Sequence, residues 1–116
     1  MPSTPEPRAG EVWDVTFNPQ VGKEQARIRP ALVISTDQFN EVRNDLYIVA
    51  PITGTDRGLA YHVRVSPPEG GLVKPSVIMC EQEKPQSRQR FLRRRGRVSD
   101  ETLRQVQRIV GTLIDQ

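Results

Sequence analysis

One cysteine and one histidine stand in 116 residues, and these two scarcities exclude a good deal of chemistry. With Cys80 alone an intramolecular disulfide is impossible, so a reducing cytoplasm is the expected setting. With His62 alone, one chain cannot supply the two histidines that would divide acid and base work. His and Cys at zinc-ligand spacing are absent, and the carboxylates are scattered rather than grouped as a two-metal site requires. No Gly-rich phosphate loop precedes a helix, which leaves nucleotide hydrolysis without support. Any reaction here is expected to need neither metal nor cofactor. No apolar run approaches the ~20 residues of a membrane span, and no hydrophobic signal region follows Met1. Membrane insertion and secretion are not expected.

What is present fits one globular domain, with charged residues at 27% and hydrophobic ones at 35%. Three prolines among polar residues make 1–8 read as a disordered leader, and 9–116 as a single domain. The net charge of +3 is local in origin: without Arg88, Arg90, Arg93, Arg94, Arg95 and Arg97 it becomes −3. Arginine's planar fork grips phosphate bidentately, as a lysine ammonium does not. The cluster is either a phosphate-contacting stripe, a solvated strand and turn, or a dock for an acidic protein.

Alternation of Trp13, Val15 and Phe17 against Asp14 and Thr16 predicts a half-buried strand over 12–17. Asn18-Pro19 ends it, and a polar loop runs to Arg29. Core strands are predicted over 31–34, 46–52 and 76–80, with an alternating strand over 61–65. Residues 37–45 and 53–58 read as loops, 67–71 as a turn cluster, and 91–98 as strand or irregular. Ser99 is placed to cap a terminal helix with Asp100 and Glu101 in its first turn. Leu103, Val106, Val110, Leu113 and Ile114 then recur at helical spacing. Short strands at close spacing with one amphipathic helix predict a mainly β fold, a strongly bent antiparallel sheet or barrel with a C-terminal α-helix.

The most informative segment is Gly22-Lys23-Glu24-Gln25-Ala26-Arg27-Ile28-Arg29-Pro30, which runs directly into Ala31-Leu32-Val33-Ile34. Pro30 fixes its own φ and biases Arg29 towards an extended backbone, so Arg29 is expected at a loop–strand junction, aimed by a rigid neighbour. Read from the residues alone, Arg29 is either a ligand-facing cation or a strut paired with Glu24. Thr53 is by itself an ordinary strand-end threonine. Cys80, inside an apolar run, reads as an inert core thiol. His62 alternates outward and reads as a surface or partner-facing residue.

The segment resembles the MazF/PemK family of toxin endoribonucleases, whose signature Gly-x-Glu-Gln-x-x-x-Arg-Pro before a hydrophobic strand is met at every fixed position. The likeness extends to Gly10-Glu11-Val12-Trp13, Asn18-Pro19, Val49-Ala50-Pro51-Ile52-Thr53, His62-Val63 and Ser76-Val77-Ile78-Met79-Cys80-Glu81-Gln82. It spans roughly residues 9 to 115. Many members carry a basic residue shortly after the second Glu-Gln pair, where Glu83-Lys84-Pro85 stands here.

This resemblance implies an SH3-like barrel with an added helix, the architecture shared with the gyrase-poisoning toxins, and a homodimer. It implies metal-independent cleavage of single-stranded RNA at a short sequence, leaving 2′,3′-cyclic phosphate and 5′-hydroxyl ends. Arg29 and Thr53 match the family's catalytic arginine and threonine. Glu24 and Gln25 either brace Arg29 or read a base edge, Gln82 is a further base reader, and Phe17 or Trp13 stacks a base while the other is core. Arg27, Lys84, Arg93, Arg94 and Arg95 complete the expected RNA contacts. The implied partner is a MazE-like antitoxin whose acidic, disordered segment covers the RNA groove. DNA is expected to be bound only through that complex. Two other readings remain open on the same fold: a gyrase-binding toxin without nuclease activity, and an inactive RNA-binding module. Gyrase poisoning looks tied to a C-terminal tryptophan, and Leu113-Ile114-Asp115-Gln116 contains no aromatic.

Overall fold

The computed structural model of this protein describes residues 6–17, 27–43 and 45–114. Glu24 and Gln25, and residues 1–5 of the expected leader, lie outside the described residues. Glu6, Pro7 and Arg8, assigned above to that leader, are seated on the body. The Glu6 carboxylate accepts from Arg88 Nε at 2.8 Å, and the Tyr47 hydroxyl donates to it at 3.3 Å.

Seven strands form one antiparallel sheet. They are β1 (Glu11–Phe17), β2 (Arg27–Val33), β3 (Leu46–Thr53), β4 (His62–Val65), β5 (Ser76–Met79), β6 (Lys84–Ser87) and β7 (Phe91–Arg97). The order is β4-β5-β3-β2-β1-β7, and β6 pairs with the first half of β3 while β5 pairs with its end. Among the described residues the sheet does not close, β4 and β7 being its two edges. The β1–β7 pairing carries two register shifts, between Val12 and Trp13 and between Asp14 and Val15. Helix α1 (Asp37–Arg43) follows β2, and helix α2 (Asp100–Ile114) ends the fold.

Alternation along the strands builds two cores, one on each face. Val12, Leu32, Ala50, Ile52, Ile78 and Val63 point to the face covered by α2, which contributes Val106 and Val110. Trp13, Val15, Ala31, Val33, Tyr47, Val49 and Phe91 form the second core, with Phe91 meeting Trp13 and Tyr47 edge-on. Trp13 is therefore core, and Phe17 is only partly covered at its margin. At one crossing β7 passes so close to the 3-10 turn Glu69–Gly71 that only glycine fits. A Cβ on Gly71, whose φ is +68°, would meet the Arg95 carbonyl, and one on Gly96 would meet the Gly71 backbone.

Three local expectations are corrected. Residues 37–43, read as loop, are helical: the Thr36 hydroxyl accepts from the Phe39 N–H at 3.1 Å, and Asn40 is buried against Ser35. Arg29 lies inside β2 rather than at its start, because β1 continues as a partner as far as the Phe17–Arg27 pair. Leu113 and Ile114 are exposed, although Leu103, Val106 and Val110 pack as predicted. Ser99 caps α2, its Oγ accepting from the Thr102 N–H at 3.1 Å.

Candidate active site

Where β2 and β3 leave the second core, their alternation continues with polar side chains. Ala31 pairs with Pro51 and Val33 with Val49, and the same register carried two residues further sets Arg29 across from Thr53. Arg29 shares the face of Ala31 and Val33, opposite α2. Thr53 pairs in turn with Val77 of β5, and Met79 of β5 with His62 of β4. Four strands thus deliver side chains to one side of the sheet.

Arg29, Thr53, Thr55, Arg57, His62, Glu81 and Gln82 line a single pocket of about 350 Å³, with Leu59 and Met79 as its apolar wall. A second pocket, of about 310 Å³, is also lined by Arg29 and Thr53, and adds Lys74 and Arg95. The two residues form the ridge between a polar pocket of mixed charge and a cationic one. The structure thus brings Arg29, Thr53, Gln82 and Arg95 together, residues that lie far apart in the chain.

Each group on the ridge keeps hydrogen-bonding capacity. Arg29 makes no ion pair with another described residue and lines both pockets. The Thr53 oxygen accepts from the Thr55 backbone N–H at 3.3 Å, which leaves the hydroxyl proton to be donated elsewhere. The loop carrying Thr55 and Arg57 is pinned by Asp56, which accepts from the Gly58 N–H at 2.8 Å and from Arg64 Nε at 2.6 Å. Those bonds, first that from Gly58, hold the Asp56 carboxyl below the usual carboxylate range.

His62 departs from its expected surface position. Alternation does turn it away from Val63 and Val65, but the turn Cys80–Gln82 folds over that face. Its side chain is only 4% exposed. Nε2 lies 3.1 and 3.2 Å from the two Glu81 oxygens, and the ring meets Tyr61 edge-on. Glu81, Thr55 and Arg57 join the pocket without having been singled out in the sequence. The Glu81-Gln82 pair in the family-like segment was the available signal for Glu81. Cys80, just before it, is buried as expected, and burial with the neighbouring Glu81 charge pushes its thiol up to about 11.

The other candidates lie outside this pocket. Lys84 Nζ sits 5.4 Å from the centre of the Phe17 ring, and Arg27, exposed, pairs across from Phe17 at the far end of β2. Arg93 and Arg95 both pair with Asp14, at 3.4 and 2.6 Å, and Arg94 pairs with Glu11 at 2.9 Å. Part of the local basic excess is therefore balanced by carboxylates of β1. Among the described residues no three His, Cys, Asp or Glu side chains gather where a metal could be held. No helix among them is long and apolar enough to cross a membrane.

A sequence profile of the PemK-like, MazF-like toxins of type II toxin–antitoxin systems matches residues 8–114. MazF from Deinococcus radiodurans superposes with a TM-score of 0.80 at 27% identity, over 97% of this chain and 100% of that one. The MazE–MazF complex of the same organism contains a chain that superposes at 0.78 with 27% identity, over 96% and 97%. The Mycobacterium tuberculosis toxin MazF-mt6 shares the fold, with a TM-score of 0.74 at 24% identity over 90% and 96%.

Proposed function

Since the chain belongs to the PemK-like, MazF-like family of toxins of type II toxin–antitoxin systems, we propose that it is an endoribonuclease. It cuts single-stranded RNA at a short sequence, without metal, and so stops translation. The observation that carries this reading is the ridge of Arg29 and Thr53 between two polar pockets. RNA supplies its own nucleophile, the 2′-hydroxyl next to the scissile phosphate. Catalysis then requires alignment of that group and stabilisation of the charge that develops on the phosphorane.

In this mechanism the scissile phosphate lies on the ridge. The Arg29 guanidinium donates to the non-bridging oxygens, and its hydrogen bonds strengthen as negative charge grows there. The Thr53 hydroxyl, its oxygen already engaged by Thr55, donates its proton to the same phosphate. Attack by the 2′-oxygen expels the 5′-oxygen and leaves a 2′,3′-cyclic phosphate. Nucleotides on either side enter the two pockets, with Gln82 reading a base edge in one and Arg95 meeting backbone in the other. Phe17 stacks a further base, with Lys84 over the other face of its ring, and Arg27, Arg93 and Arg94 extend the contact to flanking phosphates.

The cell partner in this reading is an antitoxin of MazE type, as the Deinococcus radiodurans complex has for its own MazF. Its acidic segment covers the cationic ridge. The working form is a cytoplasmic homodimer. The test is digestion of a long single-stranded RNA in EDTA, followed by mapping of the ends. Discrete cuts with 2′,3′-cyclic phosphate and 5′-hydroxyl ends are expected. An RNA left intact by well-folded protein, across several diverse sequences, would overturn the reading.

A further inference from the structure

We propose that the second pocket holds the RNA backbone phosphate next to the scissile one, and that Lys74 and Arg95 bind it. This deepens the ribonuclease reading above and rests on it. Arg29, Lys74 and Arg95 line the pocket, and no Asp or Glu stands among its described lining residues. The first pocket, by contrast, contains Glu81. A strand laid across the ridge of Arg29 and Thr53 carries one neighbouring phosphate to each side. Glu81 repels it on one side, and two further cations attract it on the other. The charged groups there are donors only, which suits phosphate oxygens, acceptors only.

The local chain explains how these cations come together. Lys74 precedes Pro75 as Arg29 precedes Pro30, which biases both residues towards an extended backbone. The Ser76 hydroxyl donates to the Lys74 carbonyl at 2.9 Å and ties it to the start of β5. The Lys74 side chain then passes beside Gly54, the residue after Thr53. A Cβ on Gly54 would come within 3.0 Å of Lys74 Cε and 3.2 Å of Nζ. The ammonium therefore stands next to the loop that leaves the ridge, and it makes no ion pair with another described residue.

Arg95 arrives from β7. Its Nε donates to Asp14 at 2.6 Å, which leaves both terminal amino groups of the fork for a ligand. Asp14 also pairs with Arg93, so one carboxylate is divided between two guanidinium groups. Arg95 is thereby fixed in orientation while the pocket stays positive. Lys74 escaped the sequence reading because it is a lone lysine, brought to the ridge only by the pairing of β3 with β5.

The experiment measures affinity and its salt dependence for a short RNA with a 2′-deoxy sugar at the mapped cut site. A single methylphosphonate, which removes one phosphate charge, is then placed at each nearby phosphate in turn, beside a 2′-deoxy sugar. Lys74→Gln and Arg95→Gln are each expected to weaken binding about 5- to 10-fold and to lower the salt slope by about 0.7. Lys74→Arg, which keeps the charge, should recover most of the affinity. A methylphosphonate at one neighbour of the scissile phosphate should weaken wild-type binding and have little further effect on Lys74→Gln. At the other positions it should weaken both proteins equally. Lys74 is exposed, so its variants should melt as the wild type does. Undiminished affinity and an unaltered salt slope in Lys74→Gln would overturn the inference. So would equal methylphosphonate losses in both proteins at every position, which would make Lys74 part of a diffuse field rather than a site. Failure of the wild type to cut would remove the ribonuclease reading itself, whereas a cutting wild type with an equally tight Lys74→Gln removes only this inference.

Discussion

Replacement of Glu11 by alanine should destabilise the fold by more than its charge suggests. Glu11 is a nearly buried carboxylate on β1. One of its oxygens accepts from the Trp13 indole N–H and from the Arg8 backbone N–H, each at 2.9 Å. The other accepts from Arg94 Nε at 2.9 Å. The indole sits in the second core, so loss of its acceptor strands a buried donor at a cost of about 1–3 kcal/mol. The Arg8 N–H is only partly buried and can turn to water, and the half-exposed Arg94 pair adds about 0–1 kcal/mol. Together these give about 1–4 kcal/mol for Glu11→Ala. Glu11→Gln keeps an oxygen for the two N–H groups and should lose less than half as much. Trp13 is the only tryptophan in the chain, so its fluorescence follows urea unfolding at the affected spot. With an m value of about 2 kcal/mol/M, the Glu11→Ala midpoint should fall by about 0.5–2 M. A midpoint within about 0.3 M of wild type, or equal losses in both variants, would refute the assignment of the cost to the stranded indole donor.

Three further outcomes follow from other contacts. Glu69 accepts from the Thr102 hydroxyl at 2.7 Å and the Ser99 N–H at 2.9 Å, and these bonds, against the opposing effect of burial, hold its carboxyl below the usual range. A depressed folded pKa stabilises above the ordinary glutamate range and is lost as pH falls through it. Glu69→Gln should therefore lower Tm at neutral pH by an amount that shrinks in acid, and a pH-independent difference would contradict this. Replacing Arg93, Arg94 and Arg95 together by serine should weaken RNA binding and reduce the salt slope by up to about 2, at about 0.7 per lost phosphate contact. An unaltered slope would leave those arginines to Asp14 and Glu11 alone. Cys80, buried and with its thiol pushed up to about 11, should resist iodoacetamide at pH 8 in native protein and react in denaturant. Rapid native alkylation would contradict its place in the core.

Local patterns carried much of the fold. The alternation of Trp13, Val15 and Phe17 is β1, and the cap-and-spacing pattern from Ser99 to Val110 is α2. What failed locally was decided by distant partners. Arg27 and Ile28 look like loop residues, and only pairing with Phe17 and Thr16 makes them strand. Helix α1 is too short for a periodic signal and is held by Thr36 and the buried Asn40. His62 alternates outward in sequence, but outward became inward once residues 80–82 crossed over it. The pairing of Arg93, Arg94 and Arg95 with Asp14 and Glu11 joins residues some eighty positions apart, which no local pattern displays. The same holds for the site. Arg29 and Thr53 were named through the family-like motif, whereas Glu81 and His62 were found through geometry.

The ridge is the centre of this account, and Arg29→Ala tests it most directly. The variant should melt as the wild type does, because Arg29 makes no ion pair with another described residue. Its single-turnover cleavage of RNA in EDTA should fall by at least about 10²- to 10³-fold, the usual loss when one preorganised donor to a developing oxyanion is removed. Cleavage at the wild-type rate by a folded Arg29→Ala protein would contradict the assignment of the pocket as the place where RNA is cut.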